Sequence, residues 1–213
     1  RILCRVEEEP MTRSKMTVSA VLSAALPVVV CLSAGVVSAQ QEEKQEAQRV
    51  LYIAENDAGK VWANLTLTLQ RTAEPYLPIV VAVENSSKGS VALDRESFWL
   101  SDLDDIVYGM PTVKEVRKNY EKIVMDYRMV SYAGIPWENW RWTNRLESAN
   151  FFPDLRSSWG STVRDHVTLR QRHAMVNLLY FERPRNFQRG RPFFLNVHPK
   201  GWEIPIRIRL VIS

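Results

Sequence analysis

Cysteine, histidine and glycine are scarce in this 213-residue chain, at two, three and eight residues. Both cysteines, Cys4 and Cys31, precede residue 40. The remainder therefore has neither a disulfide framework nor a thiol nucleophile. The histidines, His166, His173 and His198, form no H-x-H or H-E-x-x-H pattern. His166 and His173 fall at opposite parity on neighbouring expected strands, so no metal site is expected. The glycines beyond residue 40 stand alone, which excludes a glycine-rich phosphate loop, and no cofactor is expected. There is no G-x-S-x-G; Gly89-Ser90 and Gly160-Ser161 read as turn pairs rather than nucleophile elbows. The chain also lacks a long Lys/Arg block. Its 28 basic and 24 acidic residues leave a net charge of +4. A small, dispersed excess does not fit a dedicated nucleic-acid binder.

What is present begins with an export signal. From Met11 the chain reads MTRSKMTVSAVLSAALPVVVCLSAGVVSAQQ. Arg13 and Lys15 supply a positive start, Val18 to Val37 an uncharged apolar run, and Val37-Ser38-Ala39 small residues for cleavage. This is the composition of a secretory signal peptide over 11–39, cut after Ala39. Residues 1–10 are expected to lie upstream of the native start. The competing reading is an uncleaved anchor, since the run has about the length that spans a bilayer. Ser19, Ser23, Pro27, Ser33 and Gly35 argue against it. Val28-Val29-Val30 before Cys31 argues against lipid attachment, which wants a small residue there. Contact with a membrane is thus expected only through the transient signal peptide or, failing cleavage, that anchor.

Residues 40–58 open as QQEEKQEAQR and read as a polar tether. A single domain is expected over 59–213. Alternation across Val61–Leu69 predicts a half-buried strand. Pro78–Glu84 is apolar on both faces, as in a central strand. Asn85–Ser90 has turn chemistry. Short strands are predicted at Val91–Leu93, Ser97–Ser101, Ile106–Tyr108, Thr162–Leu169, Ala174–Glu182, Phe193–Val197 and Ile204–Ile212. Between them, Thr112-Val113-Lys114-Glu115 is a capping box. Val113, Val116, Tyr120, Ile123 and Tyr127 then recur at helical spacing, which predicts one α-helix over about 112–127, although its tail also alternates like a strand. Residues 134–160 have no period and hold most of the tryptophans. The segment 110–160 reads as an insertion in an antiparallel β-sandwich. Asn64-Leu65-Thr66 and Asn85-Ser86-Ser87 match the glycosylation sequon, but behind a bacterial-type signal they read as coincidence.

Short motifs carry a resemblance. Phe98-x-Leu100-x-Asp102 followed by Tyr108, the run Leu179-Tyr180-Phe181-Glu182-Arg183-Pro184, and Phe194-Leu195-Asn196-Val197 resemble small exported immunoglobulin-like bacterial domains. That group includes uncharacterised lipoproteins and secreted antigens. The likeness covers about residues 60–110 and 162–212. It implies a mainly β, immunoglobulin-like antiparallel sandwich outside the cytoplasm, with no defined catalytic site. The glycine usual in the aspartate turn is replaced here by Asp104-Asp105.

Two stretches are candidate binding surfaces. Trp137, Trp140 and Trp142, with Arg141 among them and Trp159 further on, form either a cover over the core or a stacking platform for sugar rings. Arg183, Arg185, Arg189 and Arg191 flank Phe187 in one loop. They suit lipid phosphates, a polyanion or an acidic partner; alternatively they are a solvated loop that keeps a neighbouring sheet edge from pairing. Asp102, Asp104 and Asp105 read as a turn, because Val107 and Val113 stand where a calcium loop needs Gly and Glu. Asp126 and Glu138 are the weak candidates for an acid/base pair. The expected function is therefore an exported, non-catalytic envelope protein that binds a protein or envelope component. A carbohydrate-binding module using loop 136–159 is the alternative, and an extracytoplasmic enzyme the third.

Overall fold

The computed structural model describes residues 50–130, 145–153 and 162–212. They belong to one compact unit, Ala39–Ser213. The strands in chain order are β1 (Leu51–Asn56), β2 (Gly59–Asn64), β3 (Tyr76–Asn85), β4 (Val91–Leu93), β5 (Phe98–Ser101), β6 (Val107–Tyr108), β7 (Arg145–Leu146), β8 (Val167–Leu169), β9 (His173–Glu182), β10 (Phe193–Val197) and β11 (Ile206–Leu210). The helices are short: α1 (Thr66–Leu69), α2 (Val113–Asn119) and α3 (Ile123–Val130). The fold is mainly β, with several sheets. One sheet has the order β1-β2-β3-β9-β7, a second β11-β10-β5-β6, and β4 pairs with β8. Pairing is antiparallel except for β7, which runs parallel to β9.

Sequence explains the order of burial. β3 is a run of β-branched and apolar residues, and Leu77, Ile79, Val81, Ala82 and Val83 are fully buried. A strand apolar on both faces belongs in the middle of a covered sheet, and β3 lies between β2 and β9. β11 alternates Ile206, Ile208 and Leu210 inward with Arg207 and Arg209 outward, as period-two patterning requires. The two larger sheets meet where β1 approaches β11, and the Tyr52 hydroxyl donates to the Val211 carbonyl at 2.7 Å. Residues of both sheets join one hydrophobic cluster, which also takes in Phe151 and Phe152. Gly59 is required by packing: a Cβ there would sit 2.2 Å from the Trp202 ring and 2.4 Å from the Glu84 carbonyl oxygen.

Several elements depart from the sequence reading. β1 lies inside the segment expected to be a polar tether. Only Tyr52 of its six residues is buried, so the strand carries almost no apolar alternation. The strand predicted through Leu69 ends at Asn64. The Asn64 side-chain oxygen accepts from the Thr66 N–H at 2.8 Å and turns the chain into α1. The helix predicted over about 112–127 is two helices. Its capping box forms as expected, with the Glu115 N–H donating to Thr112 Oγ1 and the Thr112 N–H to Glu115 Oε2. The break falls at Tyr120, which is extended and fully packed, with its ring 6.2 Å from Tyr76 and 5.5 Å from Tyr180. Strand β8 begins at Val167 rather than Thr162. Asn64 and Asn85 are buried and hydrogen-bonded, so neither sequon offers an acceptor.

Arg95 ties the helical segment to the sheets. It follows Asp94, whose side chain caps the 3-10 turn Arg95–Ser97. Its guanidinium donates to Asp165, Pro111 and Phe151 and lies over the Phe152 ring. One side chain therefore holds both flanks of the segment that joins β6 to β8.

Candidate functional site

The arginine loop and the β5–β6 hairpin come together at one edge of the second sheet. The hairpin is built around Asp102, which is buried. Its Oδ1 accepts from the Asp104 N–H at 2.9 Å and the Ile106 N–H at 3.0 Å, and its Oδ2 accepts from the Tyr108 hydroxyl at 3.0 Å. Burial pushes the Asp102 carboxyl up, but the donors from Ile106, Tyr108 and Asp104 and the Arg191 charge outweigh it and hold the group below its usual range. Burial raises the Tyr108 hydroxyl, opposed by the Arg185 N–H and reinforced by Asp102. Asp105 takes a left-handed conformation, φ 55°, which aspartate tolerates better than most residues. The turn folds its polar backbone inward onto one carboxylate. Leu103, Ile106 and Val107 are left 51%, 47% and 63% exposed.

This geometry gives the F-x-L-x-D…Y pattern a physical basis. Phe98 and Leu100 are core residues, Leu100 faces Tyr108 across the ladder, and Tyr108 closes the turn on Asp102. The aspartates expected to form a turn do so. Among the described residues, no group of three or more His, Cys, Asp or Glu is placed to hold a metal ion.

The arginine loop is fixed against the hairpin by its backbone. The Arg185 N–H donates to the Tyr108 hydroxyl at 3.3 Å. The Phe187 N–H donates to the Pro184 carbonyl and the Arg191 N–H to that of Gln188, which makes two successive turns. Gly190, at φ 80°, is the third residue of the second; its N–H reaches the Ile212 carbonyl at 2.6 Å. Phe187 packs on Phe193 with centroids 5.8 Å apart, so it anchors the loop rather than presenting a ring.

The arginines then divide. The Arg183 guanidinium donates to the Thr72 carbonyl. Arg191 pairs with Asp104 at 3.5 Å. Arg207, on β11, pairs with Asp105 at 2.9 Å and lies 3.9 Å over the Phe194 ring. Arg185 and Arg189 are exposed, and among the described residues neither side chain makes an ion pair or hydrogen bond, although the Arg185 charge acts on the Tyr108 hydroxyl. The acidic residues of the turn are thus matched by Arg191 and Arg207; with Arg183, Arg185 and Arg189 against the exposed Glu182 beside Gly109, the balance of charge at this edge is positive.

Other candidates fall elsewhere. Trp137, Trp140, Arg141, Trp142 and Trp159 lie outside the described residues, as does Glu138. Asp126 is wholly buried; Arg71 Nε donates to it at 2.9 Å, and the Tyr120 and Tyr180 hydroxyls also donate to it. Sequence reasoning missed Ile106 and Val107 as surface residues, because apolar residues in a strand pattern read as inward-facing, and passed over Leu103 because the aspartates around it read only as a turn. The run Asp102-Leu103-Asp104-Asp105, with acids on both sides of a leucine, was the available signal.

No family model matches the chain, and no curated protein matches it. Among solved structures, the chain is similar to ycdA, a candidate lipoprotein of Bacillus subtilis, at 12% identity and a TM-score of 0.39. That match covers 75% of this chain and 38% of ycdA, so the chain spans well under half the length of that protein. It is also similar to the yjhA protein of Bacillus subtilis, at 12% identity and a TM-score of 0.37, over 76% of this chain and 96% of that one.

Proposed function

We propose that this protein is an exported, immunoglobulin-like β-sandwich domain of the bacterial envelope that works by binding rather than catalysis. The observation that carries the reading is the edge just described. Arg185 and Arg189 stand exposed, without an ion-pair partner among the described residues, on a loop tied through Tyr108 to the hairpin that exposes Leu103, Ile106 and Val107. A surface that exposes cations and aliphatic groups together is suited to contact. Export rests on the charged, apolar and small-residue sequence of 11–39. Among the described residues, no helix is long and apolar enough to cross a membrane.

One experiment tests both halves. The full chain, tagged at its C-terminus, is expressed in a bacterial host and fractionated. The expected product begins at Gln40 and stays with the envelope. The double variant Arg185→Glu/Arg189→Glu is expected to be processed equally but released into the soluble extracytoplasmic fraction. An unprocessed cytosolic chain, or envelope retention indifferent to both arginines, contradicts the proposal.

A further inference from the structure

We infer that the β5–β6 hairpin tip and the arginine loop form a docking surface for an anionic phospholipid bilayer. The inference rests on the proposed function and names the partner of that surface.

The apolar part comes first. Leu103, Ile106 and Val107 project from a turn whose shape is set by Asp102 and Tyr108, not by their own packing. Polar residues at these three positions would leave every hydrogen bond of the turn in place. The fold therefore does not explain their being aliphatic, and a lipid interface does: apolar side chains beside basic ones enter the boundary between headgroups and acyl chains, to a depth of roughly 5–10 Å.

The charge fits the same partner. Phosphate headgroups would be repelled by Asp104 and Asp105, but each is paired with an arginine, Arg191 and Arg207. Arg185 and Arg189 remain, and a guanidinium matches phosphate oxygens with two parallel hydrogen bonds. A protein partner fits less well. A stable protein interface needs about 800 Å² per side, more than three aliphatic side chains at a turn offer. Its anchors are usually aromatic, whereas Phe187 is turned inward onto Phe193.

The test uses the compact unit 39–213 and sedimentation with vesicles, either of phosphatidylcholine alone or mixed with phosphatidylglycerol. The unchanged protein is expected to sediment with the mixed vesicles and to stay in solution with phosphatidylcholine alone. Arg185→Glu/Arg189→Glu should weaken partition into mixed vesicles by roughly fivefold or more per arginine, from the usual strength of a basic side chain near an anionic surface. Leu103→Asn/Ile106→Asn/Val107→Asn should weaken it further. Both variants should keep the thermal midpoint of the parent, because every changed side chain is exposed.

Absence of sedimentation with mixed vesicles, or sedimentation that neither variant reduces, overturns the inference. If vesicles are not bound while envelope retention in cells still depends on Arg185 and Arg189, the binding function stands and the surface takes a protein. If both fail, the proposed function falls as well.

Discussion

Asp126 places a carboxyl group wholly inside the core. Burial pushes its carboxyl up, while donors from Tyr120, Arg71 and Tyr180 pull it back. Its stability contribution therefore depends on the partners remaining. Arg71→Ala removes the only cation among them and leaves a buried carboxylate uncompensated. Such a break costs about 3–5 kcal/mol, and each kcal/mol lowers the midpoint of a domain this size by roughly 2–4 °C. The direction of the pKa gives a second signature. A carboxyl raised in the folded state binds more protons there than in the unfolded chain, so stability is full below the ordinary carboxylate value and falls as pH rises through the folded one. The Arg71→Ala deficit should be larger at pH 7 than at pH 5. Thermal melts at the two values check this; an equal deficit would mean that water reaches Asp126 in the variant.

Within the β5–β6 hairpin the sign reverses. Asp102 is held low by its donors, so its contribution is present above the ordinary carboxylate value and is lost as pH falls through the folded one. Asp102→Asn should destabilise the protein at pH 7, and the gap from the parent should begin to narrow near pH 4, about the unfolded aspartate value, and shrink as pH falls further. Urea melts at pH 7 and pH 3 measure it. A gap that stays constant would mean that the turn depends on side-chain shape alone.

How far each element was legible depended on its burial. β3, β10 and β11 announce themselves because each faces a packed core on at least one side. β1 does not, since only Tyr52 reaches the core. Leu65, Leu67 and Leu69 alternate like a strand. Their helical turn is set by the Asn64 side chain, a local hydrogen bond that periodicity does not register. Tyr120 keeps helical spacing while breaking the helix, because its hydroxyl and ring are needed at Asp126 and Tyr180. Sequence grouped Arg183, Arg185, Phe187, Arg189 and Arg191 as one loop. That Arg183 and Arg191 are engaged while Arg185 and Arg189 have no ion-pair partner among the described residues depends on Thr72 and Asp104, distant in sequence. For the same reason the hairpin did not appear as part of the site.

At the scale of the molecule, the net charge of +4 is too small to direct binding by itself. Its placement matters more. Two sheets sharing one core fix β5 and β10, and the hairpin with its apolar tip and the loop that carries Arg185 and Arg189 extend from that framework, joined through Tyr108. Binding of this kind weakens as salt is added, because the screening length drops from about 10 Å at 0.1 M to about 3 Å at 1 M. A retained hydrophobic anchor would not respond in that way. The most direct measurement is therefore a salt titration of the processed protein on isolated envelopes, beside the Arg185→Glu/Arg189→Glu variant. Progressive release of the unchanged protein is expected as salt rises, with the variant already soluble at the lowest salt. Retention of both proteins up to 1 M salt would contradict it.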